Sequence, residues 1–120
     1  MKIKSSKAKG RRLQNWVRDQ LRNIFVKTTR VPRLEDDDIK SQTMGMPGED
    51  IVLSPKAKEM IPYSFECKNV ERLNLWGALE QAETNCEDRE PVLVIKRNNT
   101  KTYAIIEFKV FAKLMGGKYD

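Results

Sequence analysis

A chain of 120 residues with a hydrophobic share of 39% suits one domain with one core. Its 23 lysines and arginines exceed its 17 acids, a net charge of +6 that favours an anionic partner, nucleic acid foremost. Histidine is absent and the cysteines are only Cys67 and Cys86, which excludes histidine-based triads, His-containing or four-thiolate zinc sites and a disulfide framework.

Residues 1–9 carry four lysines and two serines and read as a loose basic arm without the apolar stretch of a secretory signal. A helix is expected from about Gly10 to Lys27, because Leu13, Val17, Leu21 and Ile24 recur at helical spacing, flanked by Trp16 and Phe25. Lys9, Arg11, Arg12, Arg18 and Arg22 lie mostly off that stripe and form a basic face suited to DNA phosphates; an ordinary solvated surface is the competing reading. Thr28 to Val31 suggests a short strand stopped by Pro32, and Glu35-Asp36-Asp37-Asp38 the solvated first turn of a short helix, where the dipole favours acids. Met44 to Gly48 reads as a flexible loop.

That loop leads into Asp50 and the apolar run Ile51-Val52-Leu53; a turn-rich segment with Ser54, Pro55 and Pro62 follows, then Tyr63-Ser64-Phe65-Glu66-Cys67-Lys68. The last run alternates in polarity, which puts Glu66 and Lys68 on one face of a strand and Phe65 and Cys67 on the other. If the two runs pair as neighbouring strands, Asp50 lies beside Glu66 and Lys68. A hard ion such as Mg2+ takes oxygen ligands at about 2.0–2.1 Å, which Asp50, Glu66 and the backbone carbonyl of Cys67 can supply. Lys68 could then orient a water or stabilise developing negative charge. A solvated strand face carrying Glu66 and Lys68 is the competing reading.

A second helix is expected from Asn74, as N-cap, to Glu87, with Leu75, Leu79, Ala82 and Cys86 facing inward and Trp76 read as core. Val92-Leu93-Val94-Ile95 is apolar throughout and reads as a buried central strand. Asn98-Asn99-Thr100 signals a turn into a strand over 102–108, and Phe111, Leu114 and Met115 suggest a short last helix. No run approaches the roughly 20 apolar residues of a membrane span, and with only Cys67 and Cys86 a reducing cytoplasm is expected.

Asp50 with Glu66-Cys67-Lys68 resembles the D…(D/E)xK signature of the PD-(D/E)xK nuclease superfamily. The fuller string, from Gly45-x-x-Gly48-Glu49-Asp50-Ile51 through Glu66-Cys67-Lys68-Asn69, is similar to small phage-encoded nucleases related to archaeal Holliday junction resolvases. Pro47 stands three residues before Asp50, so the Pro-Asp pair of the family name is not adjacent here. The resemblance implies an α/β fold with a restriction-endonuclease-like core, a mixed β-sheet flanked by helices in the order αβββαβ. It implies a Mg2+-dependent endonuclease, with Mn2+ as a substitute, that acts on branched DNA as a homodimer in the host cytoplasm. Asp50, Glu66 and Lys68 would be its catalytic residues. Gln14 matches the position of a metal-binding glutamate on the first helix, and Gln81 that of a glutamine on the second. Two other functions stay open from the residues: a DNA-binding protein without cleavage, and a nuclease acting on ordinary duplex DNA or RNA.

Overall fold

The structure, a computed structural model, describes residues 3–118, with side chains from residue 5 onward. The elements in chain order are α1 (Ile3–Phe25), a single 3-10 turn (Asp36–Asp38), β1 (Ile39–Ser41), β2 (Ile51–Leu53), α2 (Pro55–Met60), β3 (Tyr63–Asn69), α3 (Leu75–Asn85), β4 (Glu90–Lys96), β5 (Tyr103–Ile105) and α4 (Phe108–Leu114). This is an α/β fold with a mixed sheet: β3 runs parallel to β4, and β5 is antiparallel to β4. β1 and β2 form a separate antiparallel pair. Among the described residues no helix is long and apolar enough to cross a membrane.

Leu13, Val17 and Leu21 of α1 are buried, as their spacing requires, against Cys67, Val92 and Val94 on one face of the sheet and against Ile39, Ile51 and Leu53 of the β1–β2 pair. On the other face Leu93, which pairs with Glu66, is fully buried, and α3 presents Ala78 and Ala82. These small residues let α3 pack closely on β3 and β4. A β3–α3–β4 unit thus sits between two helices, its central strands covered on both sides.

Several expectations need correction. The basic arm is helical from Ile3 on, because its end is pinned: the Lys9 side chain is 4% exposed and pairs with Glu71 at 2.9 Å, and the Asn69 amide donates to the Lys9 carbonyl. Residues 1 and 2 lie outside the described residues. Thr28 to Val31 is a series of bends, not a strand. The segment between β2 and β3 holds α2, with Ser54 as N-cap accepting from the Ala57 N–H at 3.1 Å and Pro55 at the first helical position. The Ser54 hydroxyl in turn donates to Asp38 at 2.6 Å, and Asp38 also accepts from the Glu35 N–H, so this acid of the run is an anchor. Those bonds hold the Asp38 carboxyl below the usual carboxylate range. Trp76 is 78% exposed on the first turn of α3, because Ala78 and Ala82 face inward instead; Ile24 likewise falls outside the core.

The chain enters β2 past a buried ion pair. One nitrogen of Arg89 donates to both Glu49 oxygens at 2.8 Å; the Ser64 hydroxyl donates to Glu49 at 2.8 Å, and a second Arg89 nitrogen to the Tyr63 carbonyl at 3.1 Å. Breaking such a pair leaves an uncompensated charge in a poorly solvated place, at a cost of about 3–5 kcal/mol. Arg89→Ala is therefore expected to destabilise the fold by that amount in urea unfolding, far more than removal of an exposed arginine such as Arg12.

Candidate active site

Asp50 ends the loop before β2, and every polar group of its backbone is used. Its N–H donates to the Phe65 carbonyl at 3.1 Å, and its carbonyl accepts from the Gln42 N–H at 2.8 Å and the Gln14 side-chain amide at 3.1 Å. One carboxylate oxygen accepts from the Cys67 N–H at 2.7 Å. β2 and β3 are thus not paired as a hairpin; Asp50 alone bridges them at this point, on the edge of β3 away from β4. A strand residue points its N–H and C=O to the same edge, so the Cys67 carbonyl also faces that edge. The Cys67 thiol lies in the core, where burial pushes its pKa far up and keeps it neutral.

Glu66 is buried, and its carboxylate lies beside that of Asp50, close enough for the charge of Asp50 to raise its pKa. The Asn85 amide, on the last turn of α3, lies 3.4 Å from Glu66 and 3.3 Å from the Gly48 carbonyl, tying helix, strand and loop together. Lys68 shares the face of Glu66 and is half-buried. Its charge lowers both acid pKa values, yet it forms no ion pair within 4 Å among the described residues. Asp50, Glu66 and Lys68 therefore converge as expected, with Gln14 beneath them. Gln81, one helical turn before Asn85, is exposed and makes no side-chain hydrogen bond among the described residues. Asn85 is the residue of α3 that reaches the carboxylates; spacing i, i+4 from Gln81 was the available signal.

Of the basic residues on α1, Arg11 and Arg12 are exposed. Arg18 is held by Asp19 and Asn15, and Arg22 donates to the Ile39 carbonyl at 2.9 Å, so Arg22 mainly ties α1 to β1. Lys9, buried against Glu71, leaves the basic face.

Two features fit a hard cation here. The Gln14 Oε1 is buried without a hydrogen-bond partner, an acceptor left open beside Asp50. Two carboxylates sit in contact without a cationic partner at bonding distance, an arrangement that a divalent ion relieves. Among the described residues no group of three or more His, Cys, Asp or Glu side chains gathers, so an ion here would need amide or carbonyl oxygens and water beside the two carboxylates.

A protein-family model whose description reads "Phage putative PDDEXK endonuclease" matches residues 5–119. The chain belongs to this family of phage PD-(D/E)xK endonucleases. Neither the curated proteins nor the solved structures searched contain a match. The α/β core with its mixed sheet is compatible with that family's fold.

Burial, and then the charge of Asp50, raise the Glu66 pKa from 4.5 to about 7; the Asn85 bond and Lys68 pull the other way. Burial likewise raises Asp50, opposed by the Cys67 N–H. A raised folded-state pKa means that protonation favours the fold. The stabilisation is complete below the unfolded value near 4.5 and lost as pH rises through about 7. In EDTA the melting temperature should therefore fall between pH 5 and 8, and Glu66→Gln should flatten that fall. A parent protein equally stable across the range would rule out the crowded carboxylate pair.

Proposed function

We propose that this protein is a divalent-cation-dependent endodeoxyribonuclease, hydrolysing phosphodiester bonds at Asp50, Glu66 and Lys68. The observation that carries it is the contact between the Asp50 and Glu66 carboxylates beside Lys68 and the open Gln14 oxygen. Asp50, Glu66 and the Cys67 carbonyl would hold Mg2+, or Mn2+ in its place; when bound, such an ion neutralises charge building on a phosphate and eases deprotonation of water. Hydrolysis adds a water oxygen to phosphorus and breaks one P–O ester bond, so negative charge accumulates on the phosphoryl oxygens. Lys68 offsets that charge or orients the water. Gln14 holds its oxygen toward the site while its amide fixes the Asp50 backbone. Asn85 keeps Glu66 in place without neutralising it.

Likeness of the Gly45–Asn69 string to resolvase-like nucleases favours branched DNA as substrate. It also favours a homodimer, whose two-fold axis would pair two cuts on a symmetric junction. The free cysteines, Cys67 and Cys86, suit the reducing host cytoplasm.

Cleavage of four-way junction, linear duplex and single strand, in Mg2+ or EDTA, tests this reading. The parent should cut only with the metal, and the junction best. Asp50→Asn and Glu66→Gln should bind DNA as well as the parent or tighter, since each removes a negative charge facing a polyanion, and should not cut. Lys68→Ala should bind slightly less well and lose roughly 10²–10³ in rate, by analogy with oxyanion-hole donors. Parental cutting rates in both carboxylate variants would sink this site, and binding without cutting by the parent would make the protein a DNA-binding module.

Metal binding has its own readout. Millimolar Mg2+ or Ca2+ at pH 8 should raise the melting temperature of the parent, because an ion that binds the folded state alone stabilises it. Asp50→Asn should lose most of that rise; an equal rise in both proteins would place the ion elsewhere.

A further inference from the structure

The loop joining β1 to β2 stands over α1 and closes a cleft of about 400 Å³. One wall is a single helical stripe, Arg11, Asn15 and Arg18; the other is residues 41–44. Gly10 permits this approach, since a Cβ there would meet the Met44 methyl at 3.3 Å. Gly45 at φ 84° and Gly48 at φ 98° then turn the chain back toward β2 in a region that glycine enters without steric cost.

The cleft adjoins the carboxylates. Gln42, in its wall, donates its N–H to the Asp50 carbonyl at 2.8 Å, and Gln14, beside the arginine stripe, donates to the same oxygen at 3.1 Å. Its lining is cationic and hydrogen-bonding. Arg11 is exposed and has no ion pair among the described residues. Arg18 is paired with Asp19, a partly exposed ion pair weak enough for a phosphate to compete with. Ser41, Gln42 and Thr43 add neutral donors, and among the described residues no carboxylate lines the cleft.

We propose that this cleft is a backbone-phosphate subsite, seating the nucleic-acid strand next to the phosphate that is cut. Its occupant rests on the nuclease reading; its location rests on the geometry of α1 and the loop. Recognition here is of the sugar-phosphate chain, not of base edges, because guanidinium, hydroxyl and amide groups on a shallow wall fix position along a strand. Of the described basic side chains on α1, Arg11 and Arg18 line it.

The test compares the parent with Arg11→Gln, Thr43→Glu and Lys109→Gln. Lys109 is an exposed lysine of α4 that lines neither the cleft nor the carboxylate site, so its loss controls for net charge. Binding of labelled junction and duplex is followed by fluorescence anisotropy in EDTA across a salt series, and cleavage by steady-state kinetics in Mg2+. Loss of one phosphate contact should make the log–log salt slope of Arg11→Gln shallower by roughly 0.7–0.9. It should raise KM with little change in kcat, because the contact is the same in ground and transition states. Thr43→Glu, which puts a carboxylate on the opposite wall, should weaken binding several-fold, while Lys109→Gln should match the parent. The proposal is overturned if Arg11→Gln and Thr43→Glu both behave like Lys109→Gln while the parent binds and cuts. A parent that neither binds nor cuts nucleic acid overturns the nuclease reading instead, and the occupant with it.

Discussion

The edge of β3 that faces away from β4 needs partners for its backbone groups, and a neighbouring strand does not supply them at Phe65 and Cys67. Asp50 does, with its own N–H on the Phe65 carbonyl and its carboxylate on the Cys67 N–H. Buried backbone groups must be paired somewhere, so closing the sheet edge and fixing a carboxylate become one event. The Asp50 carbonyl then takes two more donors, from Gln42 and Gln14, which ties the β1–β2 pair and α1 to the same residue. One residue, by its backbone and its side chain together, therefore holds the junction of two sheets and a helix. Its position is set by the fold at large, and a site built on it inherits that rigidity.

The adjacent acids Glu49 and Asp50 are treated in opposite ways. Glu49 receives a guanidinium and a hydroxyl and is a closed, neutralised unit. Asp50 and Glu66 receive only neutral donors, the Cys67 N–H and the Asn85 amide. Neutral donors orient a carboxylate without removing its charge. At Asp50 and Glu66 desolvation outweighs the Cys67 N–H, the Asn85 amide and the charge of Lys68, and it appears as their raised pKa values. A closed ion pair and an open carboxylate pair thus start one residue apart, distinguished by whether a cation of the protein is within bonding distance.

What could be read from the sequence follows from how local each signal is. The alternation of Tyr63 to Lys68, the stripe Leu13-Val17-Leu21, the Asn74 cap and the apolar β4 are all set by short-range spacing, and each stands where that spacing put it. β1 is three residues long behind an acidic run, too short for a period to show. α2 was signalled by Ser54-Pro55, a cap followed by a first-position proline, but its six residues were masked by the turn propensity of the same pair. Glu49 and Arg89 are 40 positions apart, and nothing in either segment predicts their meeting. Trp76 misled because size argues for burial, whereas the close packing of α3 on the sheet selects alanines. Gln81, expected from the resemblance, lies one helical turn before Asn85, the amide of α3 that reaches Glu66.

α1 shows why these parts constrain one another. Leu13, Val17 and Leu21 fix its rotation by burying one stripe. Gln14, next along the surface, is then forced under Asp50, and Arg11, Asn15 and Arg18 are forced into the cleft wall beside it. Successive residues of a helix are about 100° apart, so these three roles cannot be varied independently. A rotation that relieved the buried Gln14 oxygen would expose Leu13 and Val17 and carry Arg11 out of the cleft. The cost of leaving that oxygen unpaired is therefore borne by the hydrophobic stripe, whose burial holds the amide where an ion or a water can complete it.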